Sequence, residues 1–248
     1  MQLARHPHSG DLLMKESFHL DNLNAGLKAE GRVLQYRSSI RAKRESKIAP
    51  RSYNCPIIAI EHDIGSLARQ AADALAEETG WHVFDKEIVE YIAENAHVQK
   101  NIADELDEKA QSFIHDEVER LLRLLFEGNS FGEVEYHRAL LKSLATLGAH
   151  GEAIFIGHGG AFAFDKKRRL SIRITASSDV RAERLARRWK EPMEKIRKRM
   201  EESDHEIREF IRYHFNKNRD DLTSYDLVFN TDNLTVNEIV GAVLAILT

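Results

Sequence analysis

The run Glu61-His62-Asp63-Ile64-Gly65-Ser66-Leu67-Ala68-Arg69 follows four apolar residues, Ile57-Ile58-Ala59-Ile60, and leads into a helical pattern that reaches Gly80. A strand, a short turn and a helix start, in that order, present backbone N–H groups and the positive end of a helix dipole to an anion. The chemistry this permits is phosphate binding. The side chains suit it unevenly. Gly65 brings backbone freedom, Ser66 the one hydroxyl of the turn and Arg69 a guanidinium. There is no lysine, and Leu67-Ala68 stand where close approach of a phosphate favours glycine. The bland alternative is a tight strand-to-helix turn with Arg69 exposed.

Three further places hold groups of the same chemistry. Asp85 follows a short apolar stretch and either faces a ligand or caps the next helix. Gly157-His158-Gly159-Gly160 follows another apolar stretch, and its glycines permit an anion-binding nest of backbone N–H groups. Arg181, Arg184 and Arg188 are spaced by three and four, which puts them on one helical face. That face either meets phosphates or pairs with Asp179, Glu183 and Glu191 in solvent. Other chemistries lack support. The histidines show no His-Glu-x-x-His pairing for zinc, no Gly-x-Ser-x-Gly elbow occurs, and the single Cys55 excludes a disulfide framework.

The elements that must position these residues alternate. Strands are expected at residues 57–60, 81–84, 153–156, 170–175 and 226–230. Helices are expected at about 66–78, 86–95, 102–126, 134–147, 179–189, 193–202 and 204–216, with an amphipathic one from Val236. Short apolar strands separated by helices predict an α/β fold, a doubly wound parallel sheet with right-handed crossovers. Ligands then bind beyond the carboxyl ends of the strands. Residues 1–51 lack sustained periodicity and read as an N-terminal extension, poorly ordered or folded onto the domain, with a short helix near residues 20–28. Residues 52–248 form the main domain.

Charge is segregated along the 248 residues despite a net charge of only −4. Residues 1–51 hold ten Lys/Arg against five acids, residues 52–165 eight against twenty-one, and residues 166–219 eighteen against nine. The last block either attracts a polyanion or forms a solvated helix surface. No RNA-binding motif or aromatic interleaving accompanies it, so nucleic acid is not an expected partner. No apolar run nears the ~20 residues that span a bilayer, and the first residues lack the apolar core of a secretory signal. The expectation is a cytoplasmic protein that binds small molecules and no membrane, its oligomeric state open.

Taken in order, Val83-Phe84-Asp85-Lys86-Glu87-Ile88-Val89, Phe155-Ile156-Gly157-His158-Gly159-Gly160-Ala161, Ile174-Thr175-Ala176-Ser177-Ser178-Asp179-Val180-Arg181-Ala182-Glu183-Arg184 and Tyr225-Asp226-Leu227-Val228-Phe229-Asn230-Thr231 resemble the cytidylate kinase-like family, relatives of the P-loop nucleoside monophosphate kinases. The resemblance covers about residues 56–247. It implies a five-stranded parallel sheet, a helical LID at about residues 189–219 over ATP, and a helical insert on the monophosphate side. It also implies ATP and Mg²⁺ as cofactors. Gly65, Ser66 and Arg69 match the family loop Ser-Arg-Gln-x-Gly-Ser-Gly-Gly-Arg, whereas Glu61, His62, Leu67 and Ala68 depart from it. Ser66 is then the hydroxyl offered to Mg²⁺. Asp85 matches the acid of the monophosphate pocket, with Gly157, His158 and Gly159 beside it. His158 stands where the family has arginine, replacing a fixed cation by a group that titrates near neutrality. Arg181, Arg184 and Arg188 become phosphate contacts, Arg184 and Arg188 the catalytic ones. Ile207 replaces another family arginine, with Arg208 and Arg212 as neighbours able to substitute.

The implied function is ATP-dependent phosphoryl transfer to a nucleoside monophosphate, CMP being the family's acceptor. The four loop departures favour a second reading, a catalytically impaired pseudokinase that binds nucleotides or anions. A third is an interaction protein whose basic arm or LID holds a polyanion.

Overall fold

The computed structural model describes residues 26–40, 42, 56–106, 108–125 and 134–247. Five strands form one sheet: β1 (Ile57–His62), β2 (His82–Phe84), β3 (Ala153–Ile156), β4 (Arg169–Thr175) and β5 (Leu227–Asn230). Their order is β2-β3-β1-β4-β5, and every pairing is parallel. Ile57 lies opposite Ala153 on one side and Arg169 on the other, and Ile60 opposite Ile156 and Ile172. The expected doubly wound five-stranded sheet is therefore the observed one.

Helices cover both faces. They are α1 (residues 26–40), α2 (Ala68–Thr79), α3 (Lys86–Glu94), α4 (Ala96–Asp104), α5 (Glu108–Leu125), α6 (Val134–Ala149), α7 (Gly160–Ala163), α8 (Ser178–Trp189), α9 (Met193–Phe215) and α10 (Val236–Leu247). Successive β1 side chains point to opposite faces. Ile57 joins a core with α1, α3 to α7 and the end of α9, while Ile58 and Ile60 join one with α2 and α10. Burial on both faces explains why β1 and β3 read as continuous apolar runs rather than alternating ones.

The local signals worked where a single residue decides a boundary. Gly80 ends α2 at φ 73, its N–H reaching the Ala76 carbonyl at 2.8 Å, a stop that glycine makes without steric cost. Asp85 caps α3 through Ile88 N–H at 3.3 Å. Three expectations change. The long helix at 102–126 is two helices, α4 and α5, broken after Asp104. The helices at 193–202 and 204–216 are one, because Asp204 turns its carboxylate to Arg181 instead of capping a new helix. The N-terminal helix covers residues 26–40, beyond the expected end at 28 (residues 20–25 of that expectation lie outside the described residues), and it is part of the core: Val33, Tyr36 and Ile40 are buried. The Tyr36 ring packs edge-on to Phe84, and its hydroxyl donates to the Leu147 carbonyl at 3.2 Å. The rest of the extension, residues 1–25, 41 and 43–51, lies outside the described residues, as does Cys55. No helix among the described residues is long and apolar enough to cross a membrane.

Candidate functional site

At the carboxyl end of β1 the chain makes the turn His62–Leu67 before α2. Gly65 sits at φ 85 against α8, where an added Cβ would lie 3.0 Å from the Arg181 carbonyl oxygen and 3.2 Å from Leu185 Cγ. Leu67, the residue before α2, is held at φ 64. For a residue with a Cβ that left-handed conformation costs roughly 1–2 kcal/mol, so surrounding contacts must impose it.

Those contacts are visible. The Arg219 guanidinium donates through Nη2 to the His62 carbonyl. Ser66 N–H donates to the Asp63 carbonyl at 3.1 Å. Arg181 Nη1 reaches the Ile64 carbonyl at 3.4 Å and Arg184 Nη1 the Gly65 carbonyl at 3.3 Å. The Thr231 hydroxyl donates to the Ser66 carbonyl at 3.2 Å. Five successive carbonyl oxygens are thus engaged. Because a peptide group is planar and trans, its N–H points away from its C=O. The Gly65 N–H therefore points away from Arg181 and the Leu67 N–H away from Thr231, and no described residue accepts from them. The first N–H groups of α2 add to these, since they lack intrahelical partners.

A cavity of about 360 Å³ lies over this turn, lined by the turn itself, Arg69, Arg184, Arg188 and Trp189. It brings together five of the residues singled out from the sequence: Gly65, Ser66, Arg69, Arg184 and Arg188. Arg188 is exposed, and among the described residues no carboxylate pairs with it. Ser66 is 1% exposed, and its hydroxyl is unpartnered among them. A larger cavity, about 820 Å³, opens near Ile40, Phe113 and Arg168. It lies at the amino ends of the strands and contains none of those residues.

Other singled-out residues do different work. Arg181 is buried and forms a two-point pair with Asp204, at 3.2 and 2.9 Å, that staples α8 to α9. Arg184 also donates to the Thr231 hydroxyl and carbonyl at 2.8 and 2.6 Å, so it holds the turn while lining the cavity. Arg208 lies on exposed α9 surface, 3.1 Å from Asp220. Asp85 takes both Arg32 of α1 and Arg69 on Oδ2, each at 2.6 Å. Burial would raise its pKa, but hydrogen bonds and charge from Arg32, followed by Arg69, hold the carboxyl below its ordinary range. Through Arg69, Asp85 is thereby linked to the cavity.

The loop after β3 is tightly built. Gly157, His158 and Gly159 have φ of 67, 56 and 75, and a Cβ on Gly159 would meet the Phe215 ring at 1.9 Å. Gly157 N–H donates to the Ile60 carbonyl at 2.7 Å and Gly159 N–H to Glu61 Oε1 at 3.2 Å. These N–H groups hold the protein together and are not turned to a ligand as a nest requires. The His158 ring stacks on Phe210 at 4.6 Å. Burial lowers its pKa to about 3, helped by Lys86 and His214, so the 4.0 Å approach to Glu90 is not an ion pair at neutral pH.

Beneath the turn lies a charge cluster that sequence reading missed. Asp63 accepts from Arg173 at 2.7 Å and from the Thr175 hydroxyl at 2.5 Å, with Arg219 Nη1 at 3.1 Å. Burial pushes the Asp63 pKa up, but Arg173, Thr175 and Arg219 outweigh it and keep the carboxyl below its ordinary range. Glu61, 1% exposed, lies 3.8 Å from Arg219; there burial prevails over Arg219 and Arg173, and the pKa is raised. One signal was available. Arg173 sits between Ile172 and Ile174 in a buried strand, and a charge there requires a partner.

The model of the cytidylate kinase-like family matches residues 57–233. The chain belongs to the cytidylate kinase-like family. The match spans β1 through β5 and includes the turn, the β3 loop and α8–α9, while α1, which brings Arg32 to Asp85, lies outside it. Among solved structures, an uncharacterized protein from Eubacterium ventriosum is 17% identical, with 76% of this chain and 96% of that one covered and a TM-score of 0.58. At that identity the likeness is one of fold alone. A shikimate kinase from Bacteroides thetaiotaomicron, 12% identical over 76% and 96% of the two chains, gives a TM-score of 0.39. No curated protein matches this cytidylate kinase-like chain.

The arrangement fits an anionic chain of phosphates. The turn, the first residues of α2 and Arg69, Arg184 and Arg188 line the cavity, and the Ser66 hydroxyl lies unpartnered within the turn. For a divalent cation the donor set is thin. No cluster of three or more His, Cys, Asp or Glu occurs among the described residues, and Asp63 is committed to its arginines. Such an ion would have Ser66 as its protein ligand and phosphate oxygens for the rest.

Proposed function

We propose that this protein is an ATP-dependent phosphotransferase of the nucleoside monophosphate kinase type, with a CMP-like acceptor. The observation that carries the reading is the turn with five successive carbonyls engaged, its Gly65 and Leu67 N–H groups taken by no described residue, beside a cavity lined by Arg69, Arg184 and Arg188. Bound ATP supplies the transferable phosphoryl group, and Mg²⁺ neutralises its charge. The chain's own part is positioning and electrostatic stabilisation. The N–H groups of Gly65 and Leu67 cradle phosphate, and Arg188 and Arg184 approach it from α8. Arg69, paired with Asp85, stands between this cavity and the acceptor side, to which Asp85 and the Gly157–Gly159 loop are assigned. Arg208 is assigned no contact, since it faces Asp220.

Titration calorimetry with Mg–ATP and with CMP, combined with detection of CDP, tests this. Binding of Mg–ATP and formation of CDP, both lost in Arg188→Ala, are expected. A folded protein that binds neither nucleotide overturns the reading. A second reading, a nucleotide-binding module without transfer, is favoured by one observation: His158, where the resemblance places a cation, is buried and neutral. Mg–ATP binding with no turnover of any nucleoside monophosphate would select it.

A further inference from the structure

We propose that Arg219 is a positioning residue that holds the β1–α2 turn in its phosphate-ready shape from beneath, doing by tertiary contact what glycines do in a glycine-rich loop. The inference rests on the reading of the cavity as a phosphate site. Arg219 is 1% exposed and among the largest fully buried side chains. It leaves the chain four residues after α9 ends at Phe215. Its guanidinium is shared three ways: Nη2 donates to the His62 carbonyl, Nη1 lies 3.1 Å from Asp63 Oδ1, and Nε lies 3.8 Å from Glu61 Oε2. Its own carbonyl is fixed by the Tyr225 hydroxyl at 2.8 Å.

The turn needs such a hold. Leu67 occupies a left-handed conformation that its side chain disfavours, and strained backbone persists only where its surroundings over-determine it. Arg181 and Arg184 grip the Ile64 and Gly65 carbonyls from α8. Arg219 grips the His62 carbonyl from the segment that follows α9. Both ends of the α8–α9 hairpin are therefore fastened to the turn. Asp63, which lines the cavity, is locked by Arg173, Thr175 and Arg219 together. A lysine in place of Arg219 would keep the charge but not the planar fork that reaches separate acceptors.

The test is Arg219→Lys in the full chain. Hydrogen exchange of the residue 62–67 amides is expected to quicken at least several-fold while core amides and melting temperature stay near wild type. Affinity for inorganic tripolyphosphate and for Mg–ATP is expected to fall roughly tenfold to a hundredfold, the scale on which small misplacements act. The charge-balanced double variant Glu61→Gln with Arg219→Gln removes one acid and one base together, and it is expected to give the same loosening if the lysine variant folds poorly. A folded variant with unchanged exchange at 62–67 and unchanged affinity overturns the proposal, as does a fall in melting temperature with no selective change in the turn. If wild type binds neither tripolyphosphate nor Mg–ATP, the functional reading fails, while the exchange comparison still decides what Arg219 does.

Discussion

The turn after β1 and the rim formed by Asp85 lie at the carboxyl ends of their strands and both depend on arginine–carboxylate contacts, yet they are held differently. Under the turn the side chains of Arg173 and Arg219 are 7% and 1% exposed, and those of Asp63 and Glu61 10% and 1%. At the rim the side chains of Arg32 and Arg69 that share Asp85 are 31% and 47% exposed. Buried charges that have lost their water must keep their partners, so the cluster specifies one arrangement. Exposed pairs are screened and exchange partners at little cost. The difference separates a rigid half from an adaptable half, which in the proposed reaction would hold the phosphate chain and meet the acceptor respectively.

The contrast breaks most visibly under the turn. Arg173→Met leaves Asp63 and Glu61 short of a cation and is expected to cost about 3–5 kcal/mol of unfolding free energy in urea titrations. A loss below about 1 kcal/mol would place the cluster with the surface pairs instead. Gly159→Ala comes next. Its Cβ meets the Phe215 ring at 1.9 Å with φ at 75, so strain and overpacking together are expected to cost about 3 kcal/mol.

His158 adds a pH dependence. Its folded-state pKa of about 3 lies below the ordinary 6.5, so the unfolded chain takes up the proton first. The contribution to stability is full above pH 6.5 and is lost as pH falls towards 3, the loss reaching about 2 kcal/mol at pH 5. Between about pH 7.5 and pH 5 the stability of wild type relative to His158→Asn should fall by about that amount, asparagine tolerating the left-handed backbone. A parallel pair of pH profiles would show that the ring is accessible to protons. The smallest effect belongs to the rim. Arg32→Ala leaves Asp85 its contact with Arg69 and is expected to cost no more than about 1 kcal/mol, with a larger loss marking Arg32 as part of the rigid half.

The parts of this picture that were legible in the sequence are those decided by near neighbours. Ile57-Ile58-Ala59-Ile60 and Ala153-Ile154-Phe155-Ile156 announce strands buried on both faces, and Gly80 announces a helix stop. The spacing of Arg181, Arg184 and Arg188 reads as one face, and of the three Arg184 and Arg188 line the cavity. Arg181 shares the helix but points to Asp204, because burial between α8 and α9 makes a carboxylate partner the lower-energy choice. The same pairing hid the continuity of α9, since an aspartate after a serine reads as a helix start until its carboxylate is seen elsewhere. The α1 segment was illegible for a further reason. Its stripe of Val33, Tyr36 and Ile40 is short, and its worth depends on a surface that other elements build.

By itself, then, the sequence determined the alternation of strands and helices, the place of the turn and the family to which the chain is similar, because apolar period and turn chemistry act over a few residues. Only the tertiary structure decided how that turn keeps its shape. Asp63 and Arg173 are 110 residues apart, and His62 and Arg219 157 apart. Their pairing is enforced by the cost of burying any of these charges alone, a quantity that exists only once the sheet has brought them together.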